Sequence, residues 1–283
     1  MSNLVQPKVS VIINCHNGGR YLRQALNSVY RQNFEGLETI LWDNASTDNS
    51  IDVAAEFGEN VRVVSSRNLV PLGLARSEAI KVASGEYICF LDVDDLMAAD
   101  RLARQVCFME EGNYDFTFGS VVLMQEDGTP KKVVIPPKFD SSEELLKSLL
   151  ARYNIYFQTC MFRSEKLSLA PFCPRLTYNP DFNLVMNSIL NFNVGVVPGG
   201  SLGSYRKTAG NLSSHKLSVV SDEIRVTLDE LRAKIGLDQE CWRESLNAAY
   251  DKLPFYDAIY LISVGEKKRF IDEMKKTYRL GFK

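Results

Sequence analysis

The residues best suited to chemistry lie in Phe90-Leu91-Asp92-Val93-Asp94-Asp95, where an apolar run ends in three carboxylates within four positions. Two like charges about 4 Å apart repel by about 4 kcal/mol at an effective dielectric near 20, so such a cluster wants a cation or a basic ligand. Hard carboxylate oxygens suit Mg²⁺ or Mn²⁺, and the usual partner of such an ion is a substrate phosphate. The plain structural alternative is an acidic turn capping the helix that begins near Asp100.

The elements that must position these acids are legible in the preceding residues. Glu86 to Leu91 reads as a short apolar strand delivering the carboxylates to the carboxyl edge of a sheet. Upstream, Val9 to Ile13 is a strand, and Tyr21, Leu22, Ala25, Leu26, Val29 and Tyr30 fall at helical spacing. Leu37 to Trp42 is a second strand, and Asp48 is placed to cap a helix running through Phe57. Val61 to Val64 is a third strand, Leu74 to Ala83 a helix closed by Ser84-Gly85, and Tyr87 to Leu91 the fourth strand. This βαβαβαβ run predicts an α/β fold with a mostly parallel, Rossmann-like sheet flanked by helices. Ligands of such sheets bind outside the carboxyl ends of the strands, here Asn14 to Asn17, Asp43 to Ser46, Ser65 to Asn68 and Asp92 to Asp95.

Composition narrows the function classes. The chain has 283 residues, 45% of them apolar, and a net charge of −2. That is enough for one substantial domain plus additions, without a nucleic-acid footprint. No apolar run approaches about 18 residues and Met1-Ser2-Asn3 begins no signal-peptide pattern, so the expectation is a cytoplasmic chain, or one at the inner face of the membrane. Six cysteines (Cys15, Cys89, Cys107, Cys160, Cys173, Cys241) lie far apart without CxxC spacing or neighbouring histidines. They read as reduced core residues. Ile13 runs into Asn14-Cys15-His16-Asn17-Gly18-Gly19, which lacks the GxGxxG of a Rossmann dehydrogenase, and no GxxxxGK[ST] phosphate loop is present. A nucleotide diphosphate held through a metal at an acidic strand end is the remaining common solution.

VSVIINCHN at 9–17, YLRQALNSVYRQ at 21–32, WDNASTDNS at 42–50, GLARSEAIKVASGEYICFLDVDD at 73–95 and SYRKTAGNLS at 204–213 together resemble a family 2 glycosyltransferase of the GT-A fold. The order and spacing of these blocks over about 1–213 are far more specific than an isolated DxD. The resemblance implies a catalytic domain over 1–213, with a nucleotide-binding half at 1–110 and an acceptor-side half at 111–213. A helical extension over 214–283 follows.

The resemblance also implies roles. Asp92-Val93-Asp94 matches the DxD motif: Asp92 approaches the ribose or a metal-bound water, and Asp94 coordinates an Mn²⁺ or Mg²⁺ ion bridging the diphosphate. Asp95 supports the loop, orients the donor sugar, or caps a helix. Of Asp43 and Asn44, one reads the uracil edge; both could instead only shape the turn before Ala45-Ser46. Arg76 matches an arginine near the nucleotide, where its guanidinium offers a fork to phosphate oxygens or a flat face to the base. His16 stands where relatives carry tyrosine near the base, and Asn14 where they carry proline or threonine. Asn17 is expected to stabilise the turn through its side chain.

An inverting transferase needs a base that deprotonates the acceptor hydroxyl. The family supplies it from an acidic pair followed by an aromatic residue and a leucine. Tyr178-Asn179-Pro180-Asp181-Phe182-Asn183-Leu184 is the nearest match, with Pro180 in place of the first acid and Asp181 as the base. The same residues also make a good helix start with no chemistry. Without a neighbouring acid to raise its pKa, Asp181 is expected to rely on placement more than on basicity. Thr208 replaces a histidine of the closing block, leaving Arg206, Lys207 or His215 to bring positive charge toward the leaving diphosphate, or to be solvated loop charges.

Ser221 to Ile235, Gln239 to Leu253 and Gly265 to Leu280 carry helical periodicity. The last of these is basic and aromatic, which suits a solvated amphipathic helix, a homo-oligomer contact or peripheral contact with an anionic membrane. The expected partners are a nucleotide-sugar donor, UDP-linked, and a glycan or lipid-linked glycan acceptor. A sugar-nucleotide nucleotidyltransferase and a non-catalytic sugar-nucleotide-binding protein are the rival readings. The first usually needs a Gly-rich basic loop after the first strand, which Asn14 to Arg20 lacks.

Overall fold

The computed structural model describes residues 8–169, 171–208, 217–236, 240–257 and 271. The expected helix over 265–280, residues 209–213 of the closing block, and His215 lie outside the described residues. The described chain divides into two compact units. The first takes in 1–138, 154–175 and 191–208; the second takes in 139–153, 176–190 and 209–283.

The first unit carries two sheets. Val9–Cys15 (β1), Leu37–Asp43 (β2), Arg62–Ser65 (β3) and Tyr87–Asp92 (β4) are parallel neighbours in the order β4-β1-β2-β3. Every one of the seven β1 residues except Asn14 is buried, as expected of a central parallel strand covered on both faces. Between them run the helices Gly19–Tyr30 (α1), Ser50–Ala55 (α2) and Leu72–Val82 (α3). Each strand and helix read from the sequence between residues 9 and 91 is present, with bounds shifted by a residue or two at most ends and α2 shorter than expected.

Past β4 come Leu96–Met97 (β5), helix Arg101–Glu111 (α4), Phe116–Phe118 (β6), Val121–Met124 (β7) and Pro130–Val134 (β8). Met161–Arg163 (β9) runs antiparallel between β4 and β6, and Val194–Val196 (β10) completes a seven-stranded sheet of order β10-β6-β9-β4-β1-β2-β3. Gly203–Arg206 (β11) joins β5, β7 and β8 in a second, four-stranded sheet. Its parallel pairing with β7 and antiparallel pairing with β5 bring residues 96–97 and 203–206 together beside the acidic loop.

Gly85, just before β4, shows how tightly this sheet is closed. A Cβ there would sit 2.5 Å from the backbone nitrogen of Ser10 and 2.8 Å from the carbonyl carbon of Val9, so no side-chain motion can make room. Gly85→Ala is therefore expected to push β4 off β1 and cost about 1–3 kcal/mol, read as a lower midpoint in urea at unchanged slope.

The second unit is helical. Ser142–Ala151 (α5), Pro180–Ile189 (α7), Leu217–Ile235 (α8) and Glu240–Tyr250 (α9) belong to it, while the short Ser164–Leu169 (α6) lies in the first unit. Leu145, Leu149, Leu184, Ile189, Leu228, Leu231 and Leu246 are buried. The sequence division at 213/214 stays a proposal below. No helix among the described residues is long and apolar enough to cross a membrane.

Candidate active site

The carboxyl edge of the parallel sheet gathers the polar residues. Register pairs Asn14 with both Trp42 and Asp92, Cys15 with Asp43, and Asp43 with Ser65, so β3, β2, β1 and β4 end at one edge. Parallel pairing puts the side chains of Asn14, Trp42 and Asp92 on the same face. The side-chain amide nitrogen of Asn14 and the indole N–H of Trp42 are buried there without a partner among the described residues.

Asp92 ends β4 half-exposed, and Arg76 of α3 donates to its carboxylate at 3.0 Å. The Arg76 guanidinium is almost fully buried and stacks on Phe157 and Phe172, with centroids at 4.6 and 5.6 Å. Its Nε and Nη1 have no acceptor among the described residues. A buried guanidinium with unmatched donors is costly, and an anionic or carbonyl-bearing ligand would satisfy it.

Asp94 is partly buried two residues on. Desolvation, and then the Asp92 charge, push its carboxyl up to about 6. A cation would remove both causes, so the donor set fits a hard divalent ion. Among the described residues there is no cluster of three or more His, Cys, Asp or Glu side chains that could hold a metal ion. Val93, between Asp92 and Asp94, packs against the hydrophobic core, with Gly18 against its side chain: a Cβ on Gly18 would come within 2.9 Å of Val93 Cγ2.

Asp95 is fully buried and supports the loop. One oxygen accepts from the backbone N–H of Arg206 at 2.8 Å, while the other is buried without a partner among the described residues. Burial, followed by the charges of Asp92 and Asp94, holds its carboxyl well above the ordinary value. Both raised groups bind protons more tightly folded than unfolded. Their stabilisation is therefore complete below about pH 3.8 and lost as pH rises, for Asp94 through about 6. The metal-free chain is expected to lose thermal stability over that range, and Asp95→Asn, a neutral group that keeps the acceptor for Arg206, is expected to lose less. A Tm at pH 7 several degrees below wild type in Asp95→Asn would contradict this.

Arg206 is neither a solvated loop charge nor aimed at a leaving group. It is buried, and its guanidinium donates to the Asp94 carbonyl (2.8 Å), the Glu126 carbonyl (2.9 Å) and Gln24 Oε1 (2.7 Å), lying over the Tyr21 ring. It braces the acidic loop from behind. Lys207 is exposed.

The loops after β1 and β2 are tied to each other. Asn17, at φ +53°, accepts from the Thr47 N–H through its side chain, and its own N–H donates to Ser46 Oγ. His16 is exposed; its Nδ1 lies 2.9 Å from the Asn44 carbonyl, which assigns the proton to Nδ1 and leaves Nε2 to accept from Asn17. Asn44 spends its amide on the backbone of Val70, donating at 2.9 Å and accepting at 3.1 Å. It clamps the strand-3 loop, which leaves Asp43, buried and accepting from the Ser46 N–H at 3.2 Å, as the base-reading candidate of the pair. Asp48 bridges two helix starts rather than capping one, accepting from the N–H groups of Gly19 and Ser50. Ala45 takes φ +58°, a left-handed conformation that an L-residue holds at a cost of about 1–2 kcal/mol.

Asp181 belongs to the second unit, in the first turn of α7 behind Pro180. Sequence reasoning missed Phe157 and Phe172 as the walls around Arg76, and Glu223 of α8, which binds the chain entering α7. No local signal marks any of them, since each acquires its role through partners distant in sequence.

The sequence profile described as Glycosyl transferase family 2 matches residues 10–170. UDP-Glc:alpha-D-GlcNAc-diphosphoundecaprenol beta-1,3-glucosyltransferase WfgD of Escherichia coli is 26% identical over 210 residues, covering 74% of this chain and 80% of that one. Putative teichuronic acid biosynthesis glycosyltransferase TuaG of Bacillus subtilis (strain 168) is 33% identical over 149 residues, 51% of this chain and 59% of that one. Among solved structures, S. aureus TarS in complex with UDP-GlcNAc superposes with a TM-score of 0.69 at 19% identity, covering 97% of this chain and 92% of that one. Mannosyltransferase PcManGT from Pyrobaculum calidifontis, in complex with GDP-Man and Mn²⁺, gives 0.62 at 18% identity, covering 98% and 77%. At these identities the likeness to solved structures is one of fold.

Proposed function

Because the chain belongs to glycosyl transferase family 2 and is thereby a glycosyltransferase of GT-A fold, we propose that it moves a sugar, with inversion, from a UDP-linked donor to a hydroxyl of a lipid-linked glycan. The observation that carries the donor side is a raised, partly buried Asp94 two residues from Asp92, itself held by a buried Arg76 whose Nε and Nη1 have no acceptor among the described residues. Asp94 asks for a cation and Arg76 for an acceptor, and a metal-bound nucleotide diphosphate supplies both.

In this reading Asp94 and Asp92 hold Mn²⁺ or Mg²⁺. The bound ion would neutralise charge on the diphosphate as the sugar leaves. Arg76 presents Nε and Nη1 to the nucleotide from its aromatic slot, and Asp43 accepts from the uracil N3–H. His16 and Asn14 line the same loop as nucleotide contacts, and Val93 fixes the backbone between the two acids. Asn44 contributes by holding the loop at Val70. Asp181 takes the proton of the acceptor hydroxyl as it attacks. The catalytic domain is 1–213 and the helical extension 214–283. The relatives are named for transfer to a diphosphoundecaprenol-linked GlcNAc and for teichuronic acid biosynthesis, which supports a role in bacterial glycan assembly; the reading places this chain at the cytoplasmic face of the membrane, with peripheral contact through its C-terminal basic segment.

The test is a thermal-shift series with UDP-glucose, UDP-GlcNAc and GDP-mannose, each with Mn²⁺ and with EDTA. A UDP-sugar is expected to raise Tm by several degrees with Mn²⁺ and far less with EDTA. Equal shifts with and without the ion, or a preference for GDP-mannose, would overturn the metal or the uracil reading respectively.

A further inference from the structure

We infer that Glu223 is a positioning residue for Asp181, an inference that rests on the reading of Asp181 as the base. Glu223 lies on α8 and is buried, 6% exposed. Its carboxylate accepts from three consecutive backbone N–H groups: Thr177 at 2.7 Å, Tyr178 at 2.8 Å and Asn179 at 2.7 Å. These are the last donors before Pro180, which has none, so the chain entering α7 hangs on one side chain from another helix.

The local sequence does not fix this helix start by itself. Asn179, the residue before α7, makes no capping bond with its side chain, and its amide nitrogen is buried without a partner among the described residues. Charge-assisted bonds to an ionised carboxylate are shorter and stronger than a neutral cap, and three of them fix both the height and the direction of entry.

Below Glu223 the two helices are joined by a run of directional bonds. Asn183 donates to Thr227 Oγ1 at 3.1 Å and to Glu230 at 2.9 Å; Asn187 donates to the same Glu230 oxygen at 3.0 Å and accepts from Lys234 Nζ at 2.7 Å. Residues 179, 183 and 187 recur at four-residue spacing along α7 and meet 223, 227, 230 and 234 of α8. An apolar seam would bury these helices as well but would tolerate rotation. Directional polar bonds do not, so the rotation of α7 about its axis, and with it the aim of Asp181 in its first turn, is fixed. A base that must stand within hydrogen-bond reach of a hydroxyl loses about a hundredfold in rate for a displacement near 1 Å.

The test is Glu223→Gln, whose amide N–H₂ faces backbone donors and loses at least one of the three bonds. UDP release from UDP-glucose is measured with water and with a synthetic lipid-linked GlcNAc diphosphate as acceptor. The expected result is a kcat lower by about 10- to 100-fold at unchanged donor KM and unchanged Mn²⁺-dependent thermal shift with UDP-glucose. Glu223→Asp, which keeps the charge on a shorter arm, is expected to recover most of the rate, and it carries the test if Glu223→Gln does not fold. In an Asp181→Asn background Glu223→Gln is expected to cost less than about threefold, because there is no base left to aim. Wild-type kcat in Glu223→Gln, or an equal loss in both backgrounds, overturns the inference. Failure of the wild-type protein to release UDP from any UDP-sugar would bring down the activity itself, an outcome distinguishable from either.

Discussion

Asp94→Ala is expected to lower kcat/KM for a UDP-sugar by about a thousandfold and to abolish the dependence of donor binding on Mn²⁺. The size follows from what the residue does in the proposed site: its oxygen is the hard donor that lets a cation offset charge on the departing diphosphate, a contribution of several kcal/mol. It is the Asp94 carbonyl, retained in alanine, that receives Arg206. Burial and the Asp92 charge push the Asp94 carboxyl up to about 6 without a cation, so its removal should leave the metal-free fold at least as stable near pH 7. Activity loss without stability loss is the signature to look for, in steady-state kinetics beside thermal melts. A variant that keeps Mn²⁺-dependent turnover would place the ion elsewhere.

Asp181→Asn is the second large effect. Asparagine preserves shape and cannot take a proton, so transfer should fall by about 10²- to 10⁴-fold while the donor KM and the metal-dependent thermal shift stay put. The split would separate the two halves of the proposed mechanism, in which Asp94 serves the donor and Asp181 the acceptor. Transfer at the wild-type rate in Asp181→Asn would leave its carboxylate as no more than an N-terminal helix residue, the reading that Asn179-Pro180-Asp181 equally suggests.

The parts of this fold that carry their own signal could be read before any coordinates. β1, β2 and β4 are apolar runs bounded by polar residues, and the alternation with α1 and α3 forces a parallel sheet whose carboxyl edge must hold the site. Asp92 and Asp94 follow from that edge and from the DxD pattern, whereas Arg76 and the pair Asp43-Asn44 follow from the family resemblance. What could not be read is what long-range pairing decides. Arg206, between Tyr205 and Lys207, looks like any loop cation; it is interior because Gln24, 182 residues away, and two backbone carbonyls receive its donors. Asn44 resembles a base-reading residue until Val70 folds over and takes both ends of its amide. Glu223 is one of two glutamates in α8, and only the arrival of residues 177–179, 44 to 46 positions earlier, gives it a task. The missing acid at Pro180 suggested a base relying on placement, and α8 is where that placement is built.

The central claim is that the acidic strand end binds a nucleotide diphosphate through a divalent ion. Calorimetric titration of UDP into the wild-type protein and into Asp94→Asn, each with Mn²⁺ and with EDTA, tests it most directly. Wild-type protein should bind UDP at least tenfold more tightly with Mn²⁺, and Asp94→Asn should show the same weak affinity under both conditions. Tight UDP binding in EDTA, or an undiminished Mn²⁺ effect in Asp94→Asn, would contradict the account.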